Sequence, residues 1–283
     1  MPFEIRGRVR LSKARTAFEG LVSSIGADTN LGEIAAIIAA EDDPAADVSL
    51  MIAELDELGV KADARIKGTT GAGRARAMAD YLGQELGFRG NVDDYYDPKN
   101  SYLNYVLEAR TGIPITLSLV YLEVGRRASV PLSGVGLPGH FLVRSDEEPE
   151  LFLDPFARGR ALTRRDLPVL IERAIGRRMQ IGAAELEPPS DKAIVARMLA
   201  NLKTMHRQRG DYLRAASACE RILLLDPGHV GEILELGRLY LAAGLGPEAE
   251  EALKAYAEVH GPTPETAALL GRARGLDRRT DQN

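Results

Sequence analysis

His140-Phe141-Leu142-Val143-Arg144-Ser145-Asp146-Glu147-Glu148-Pro149-Glu150-Leu151-Phe152-Leu153-Asp154 is the stretch on which the reading of this chain turns. Two short apolar runs, 140–144 and 151–154, flank a polar segment rich in turn residues, so the stretch predicts a β-hairpin. If the strands pair symmetrically about Glu147, Asp154 falls opposite His140 on the same face, with side-chain roots about 5 Å apart. A carboxylate so placed orients an imidazole, and an oriented imidazole commonly serves a nucleophile.

Upstream, Ile115 to Val124 is apolar on nearly every face, which predicts a helix in the middle of a core. Gly112-Ile113-Pro114 announces its start, 26 residues before His140 (140 − 114). The hydroxyls of Thr116 and Ser118 fall near that start. Either can complete a Ser/Thr-His-Asp arrangement, or both can satisfy backbone groups and pack locally. The single cysteine, Cys219, comes 79 residues after His140 (219 − 140) and reads as a packing thiol.

Farther upstream the chain has helical periodicity from Ser12 to about Gly87. One helix is expected after Asn30, carrying Leu31, Ile34, Ile37 and Ile38. Another is expected from Asp43-Pro44 through Leu50, Ile52, Leu55 and Leu58. Gly68 to Gly73 resembles a phosphate loop only superficially, because no Gly-Lys-Ser/Thr ends it; it reads as a connection between helices. Asp93, Asp94 and Asp97 crowd into one short stretch and can be imagined on a cation with His140 and Asp154. Their spacing matches no defined metal site, and a capped turn feeding a helix from Ser101 is the expected structure. No metal and no cofactor are expected. Downstream, Thr163 and Asp166 form a capping box for a helix through Leu170 and Ile171, and Gly182 to Ser190 reads as a linker.

Beyond Asp191 the sequence repeats. Leu202 and Leu236, Gly210 and Gly244, Ala215 and Ala249, and Ala218 and Ala252 are each 34 residues apart, the period of the tetratricopeptide helix-turn-helix unit. Leu236-Gly237 with Tyr240 fits the first helix of that unit, whereas His206 stands where the first repeat would have its aromatic. Two repeats and a closing helix are expected.

Lys and Arg number 36 against 41 Asp and Glu, a formal charge of 36 − 41 = −5, so no global field draws the chain to nucleic acid or anionic lipid. Neither partner is expected. Met1 to Lys13 has no hydrophobic signal core, and the longest apolar run near it, Ile34 to Ala40, is too short for a bilayer span. One cysteine excludes an intramolecular disulfide framework and agrees with a reducing compartment. A cytoplasmic protein is expected.

Four phrases, Asp94-Tyr95-Tyr96-Asp97-Pro98, Asn100-Ser101-Tyr102-Leu103-Asn104, Gly112-Ile113-Pro114-Ile115 and Gly139-His140-Phe141-Leu142-Val143-Arg144, resemble the bacterial SirB-type family. That family has a transglutaminase-like domain followed by tetratricopeptide repeats. The resemblance implies an α+β, papain-like N-terminal domain with an antiparallel sheet over residues 1–185, including an N-terminal helical layer. All-α repeats over 191–276 and a flexible tail over 277–283 follow. It also implies a histidine at His140 and an aspartate at Asp154, and it sets the family's cysteine on or next to Pro114. A proline there has no nucleophile. The expected function is therefore a non-catalytic protein acting in protein-protein interaction or regulation, its repeats holding a protein or peptide partner. The alternative is an amide or ester hydrolase or acyl transferase using His140 and Asp154 with Ser118 or Thr116.

Overall fold

The structure is a computed structural model that describes residues 12–26 and 29–280, the last four by backbone alone. The expectations for residues 1–11 and 281–283 lie outside the described residues. The chain divides into two compact units. Ser24–Val195 forms one; the chain from Ala196 onward forms the other, together with the first helix, α1 (Lys13–Val22). That grouping departs from an N-terminal domain spanning 1–185. The reason is a buried ion pair between α1 and the repeats, made by residues more than two hundred positions apart.

In the Ser24–Val195 unit, α2 (Leu31–Asp42) opens where Asn30 accepts a hydrogen bond from the Glu33 amide. The next helix, α3 (Val48–Ile66), starts later than expected. Asp43 is spent on a turn, bonding the Ala45 amide, and Asp47 is the cap, accepting from Ser49 and Leu50. Met51, Leu55, Leu58, Ala62 and Ile66 form its buried stripe, and Leu50 points outward. Residues 67–71 connect α3 to α4 (Ala72–Asp80), which runs on into a π-helical turn, Tyr81–Glu85.

A short parallel pair follows, β1 (Arg89–Gly90) with β2 (Thr111–Gly112). Between these strands Asp97 caps a 3-10 turn, Pro98–Ser101, by accepting from the Lys99 amide, and α5 (Leu103–Ala109) follows. The buried central helix is α6 (Pro114–Arg127). Then come β3 (Leu132–Leu137), β4 (His140–Ser145), β5 (Phe152–Asp154) and β6 (Arg160–Leu162), an antiparallel meander in chain order. The Thr163–Asp166 capping box leads through a 3-10 turn to α7 (Leu167–Ile175). Val135, Leu137, Leu142 and Phe152 of the sheet pack on Leu167 and Ile171 of that helix.

After the Pro188 region the helices are α8 (Asp191–Gln208), α9 (Tyr212–Leu225), α10 (Val230–Ala242), α11 (Gly246–His260) and α12 (Pro264–Thr280). Gly210 and Gly244 hold matching left-handed conformations, φ 76° and 80°, beyond α8 and α10, as a repeat with that period requires. Ala215, Ala249 and Ala252 are fully buried, and a Cβ on Gly237 would lie 2.7 Å from Leu253. The expected tail is corrected for 277–280, which continue α12. Among the described residues no helix is long and apolar enough to cross a membrane.

Candidate functional site

Pro114 occupies the first helical position of α6, where a missing amide costs nothing and φ is already helical. Ile113 before it is extended, as a residue preceding proline prefers. Four residues on, Ser118 lies about one turn along the same face, and its hydroxyl donates to the Phe141 carbonyl of β4 at 3.2 Å. The start of α6 is thereby set beside the start of β4.

His140 follows a two-residue turn, Pro138-Gly139, that closes the β3–β4 pair. Gly139 has φ 70°, and a Cβ there would also meet Ile175 at 2.6 Å, so the turn requires glycine for two reasons.

The His140 ring bonds Asp154 through Nε2, 2.9 Å from Oδ1, and both side chains are buried. The register that brings them together is not the symmetric one about Glu147. Val143 pairs with Leu153 and Arg144 with Phe152, which sets Asp154 opposite Leu142 and diagonal to His140. The physical cause is Ser145. Expected as the first turn residue, it instead extends β4, fully buried, its amide bonded to the Leu151 carbonyl and its hydroxyl accepting from the Glu148 amide. The shift is two residues in register, so both side chains stay on one face.

Asp154 also organises the loop that follows it. Its Oδ1 accepts from the Ala157 amide at 3.3 Å, capping the 3-10 turn Pro155–Ala157, and its carbonyl accepts from the Gly159 amide at 2.8 Å. Arg160 approaches the second carboxylate oxygen at 3.8 Å. Arg158 and Gly159 both have positive φ, 56° and 75°. The π-helical turn meets this loop closely: Gln84 Nε2 donates to the Arg158 carbonyl at 2.8 Å, and a Cβ on Gly83 would lie only 2.0 Å from that oxygen. Tyr121 of α6 completes the enclosure, its hydroxyl donating to the Ala79 carbonyl. Burial, and then the charges of Asp154 and Asp80, push that phenol far above its ordinary pKa. Phe156 stands edge-on to His140 with ring centres 5.9 Å apart, and it also meets the Tyr95 ring, with centres 6.0 Å apart.

The remaining sequence candidates fall elsewhere or play other parts. Thr116 is buried and its hydroxyl has no hydrogen-bond partner among the described residues. Cys219 is buried in α9, its thiol donating to Glu232 Oε2 at 3.1 Å; burial first, then the Glu232 charge, raises its pKa well above the ordinary thiol value. Asp97 is spent capping its 3-10 turn and Asp94 offers its backbone carbonyl to Asn100. Among the described residues no His, Cys, Asp and Glu gather as a metal-holding group.

Sequence reasoning missed Phe156, Arg158, Arg160 and Tyr121. The one available signal was Arg158-Gly159, where a glycine straight after a strand and turn marks a left-handed backbone.

A central helix opening beside a His strand, followed by an Asp strand, is the arrangement of transglutaminase-like folds, and the chain belongs to the transglutaminase-like superfamily, whose family model matches residues 50–200. A tetratricopeptide-repeat model matches residues 202–274. Among individual relatives, a protein of Xylella fastidiosa (strain Temecula1) described as "UPF0162 protein" is 40% identical over 205 residues, 69% of this chain and 71% of the relative. A UPF0162 protein of Pseudomonas aeruginosa is 37% identical over 202 residues, 70% of this chain and 72% of that one. The human "F-box only protein 21" is 33% identical over 184 residues, 61% of this chain but only 28% of the human protein. No solved structure matches the chain significantly.

Proposed function

We propose that this chain is a protein-interaction protein, of the SirB type in its architecture, whose transglutaminase-like unit binds without performing acyl transfer and whose repeats hold a peptide segment of a partner. The single observation that carries the non-catalytic part is the residue opening α6. Pro114 offers no atom to carry an acyl group. Ser118, one turn on, already donates its hydroxyl to a main-chain carbonyl. On this reading His140 and Asp154 are a positioning pair that fixes the 155–159 loop. Tetratricopeptide repeats bind through the groove that their stacked helices form, which supports a protein partner.

The test is labelling of the full chain with a fluorophosphonate and, separately, iodoacetamide. No modification that depends on His140 is expected. Adduct formation on Ser118 or Thr116 that is lost in His140→Ala overturns the reading. It would favour the second one, an amide or ester hydrolase or acyl transferase, for which the unpartnered Thr116 hydroxyl is the supporting observation.

A further inference from the structure

Beside the His140–Asp154 pair, on the Phe156 side, lies a cleft of about 330 Å³ lined among others by Arg89, Gly90, Val92, Thr111, Phe156 and Arg158. Two features bear on what it can bind. The first is charge. Arg65, Arg74, Arg76, Arg110, Arg126, Arg127, Arg144 and Arg160 each lie within ion-pair distance of a carboxylate. Arg89 and Arg158 do not, among the described residues, and neither do Arg164, Arg165, Arg173, Arg177 and Arg178, but Arg89 and Arg158 are the two arginines that line the cleft. Asp93 is the one acidic residue of the lining.

The second is the cost of the wall. Arg158 takes a left-handed conformation with a β-carbon, held there by Gln84 on its carbonyl and by the Gly159 bond to Asp154. An unfavourable backbone persists only where its surroundings over-determine it, and such positions cluster at ligand sites. On the opposite wall Gly90 is forced, since a Cβ there would lie 2.3 Å from the Phe156 ring.

The backbone of β1 adds the last element. The amides of Arg89 and Asn91 bond to Arg110 and Gly112 on the β2 side. By strand alternation the Gly90 amide and carbonyl belong to the other edge. The cleft therefore combines two guanidiniums with donors suited to bidentate carboxylate recognition, an apolar wall from Phe156 and Val92, and a strand edge.

We propose that this cleft binds the C-terminal carboxylate of a polypeptide whose last side chain is apolar. The carboxylate lies between Arg89 and Arg158, the last side chain packs on Phe156 and Val92, and the preceding residue lies along β1. This goes beyond the preceding reading and does not depend on it; an adduct on Ser118 would overturn that reading and leave this one standing.

The experiment uses the full chain and bead-bound peptides randomised at their last four positions, prepared as free acids and as C-terminal amides. Retention on the free-acid pool at least tenfold above the amide pool is expected, with Leu, Val, Ile or Phe enriched at the last position. Arg89→Ala and Arg158→Gly should each abolish the difference, the glycine keeping the left-handed backbone while removing the charge. Equal retention on the two pools overturns the proposal. So does retention on neither, or a free-acid preference that survives both variants in folded protein. Arginine-dependent retention of an amidated pool carrying internal Asp or Glu would also overturn it, since it would assign the cleft to side-chain carboxylates.

Discussion

Each of the two units holds a buried polar cluster of its own, and the two clusters are built in opposite ways. In the transglutaminase-like unit, His140 meets Asp154 only fourteen residues along the chain, across a hairpin. In the repeat unit, Arg15 of α1 reaches Glu220 of α9 at 2.7 Å, 205 residues away, and also bonds the Ser217 hydroxyl at 2.7 Å. Glu220 in turn accepts from the Tyr240 hydroxyl at 2.6 Å. The first cluster has the composition of a catalytic pair. The second has no such look, yet its Glu220 is fully buried and it joins three helices. A buried ionisable group is thus no mark of chemistry in itself. What decides is whether a reactive atom stands next to it, and in both clusters polar groups bond backbone or tie helices to one another.

The contrast predicts different costs of breaking each cluster. Removing Glu220 takes a buried carboxylate from the Arg15 guanidinium and the acceptor from the Tyr240 hydroxyl. Glu220→Ala is expected to lower the unfolding free energy of the repeat unit by about 3–5 kcal/mol, read from urea melts of the full chain. Arg15→Met with Glu220→Leu, which removes both charges together, should recover most of that loss. A single Glu220→Ala variant as stable as the parent would show that α1 does not rest on this pair.

Asp154→Ala is the matching break in the other unit. It removes the partner of His140 and the cap of the 155–157 turn, while the main-chain bond from Gly159 remains. The expected cost is smaller, about 2 kcal/mol, and local. Amide hydrogen exchange should speed up at Ala157 and Gly159 and stay unchanged in α9 and α10. Exchange that rises equally in both units would mean that the clusters are not independent.

How legible these clusters were follows from their construction. The hairpin pair could be found because its members lie close in sequence and the strand period does the rest. The error was in the register, because a buried serine looks like any turn serine until its neighbours are known. The repeats were legible through spacing, since glycines and alanines at matched positions carry a geometric demand that can be read without coordinates. The Arg15 cluster was not legible. No local pattern distinguishes an arginine in an amphipathic first helix that will be buried from one that will be solvated, and only tertiary packing brings Glu220 to it. The first strand of the sheet, Leu132–Leu137, which pairs with the His140 strand, was likewise passed over: its two glycines weaken a strand pattern, yet Gly134 is there because the Phe141 ring lies against it, 2.9 Å from where a Cβ would be.

The smallest expected effect concerns Cys219, and it separates packing thiol from reactive thiol. Its folded pKa is raised, chiefly by burial and secondarily by Glu232, so the folded state keeps the proton that the unfolded chain begins to release near the ordinary value of about 8.5. Between those two values the folded state binds more protons than the unfolded one, and stability falls as pH rises. At pH 9 the contribution is below about 1 kcal/mol, growing by roughly 1.4 kcal/mol for each further pH unit until the folded value is reached. Tyr240, whose phenol burial and the Glu220 charge also push upward, adds the same sign of slope above its own ordinary value of about 10. The measurement is therefore the slope of unfolding free energy between pH 8 and 9.5, compared in the parent and in Cys219→Ala. The variant should flatten the slope even if its cavity lowers stability at every pH. An unchanged slope, together with rapid iodoacetamide labelling of the folded protein, would show that the thiol titrates at the surface.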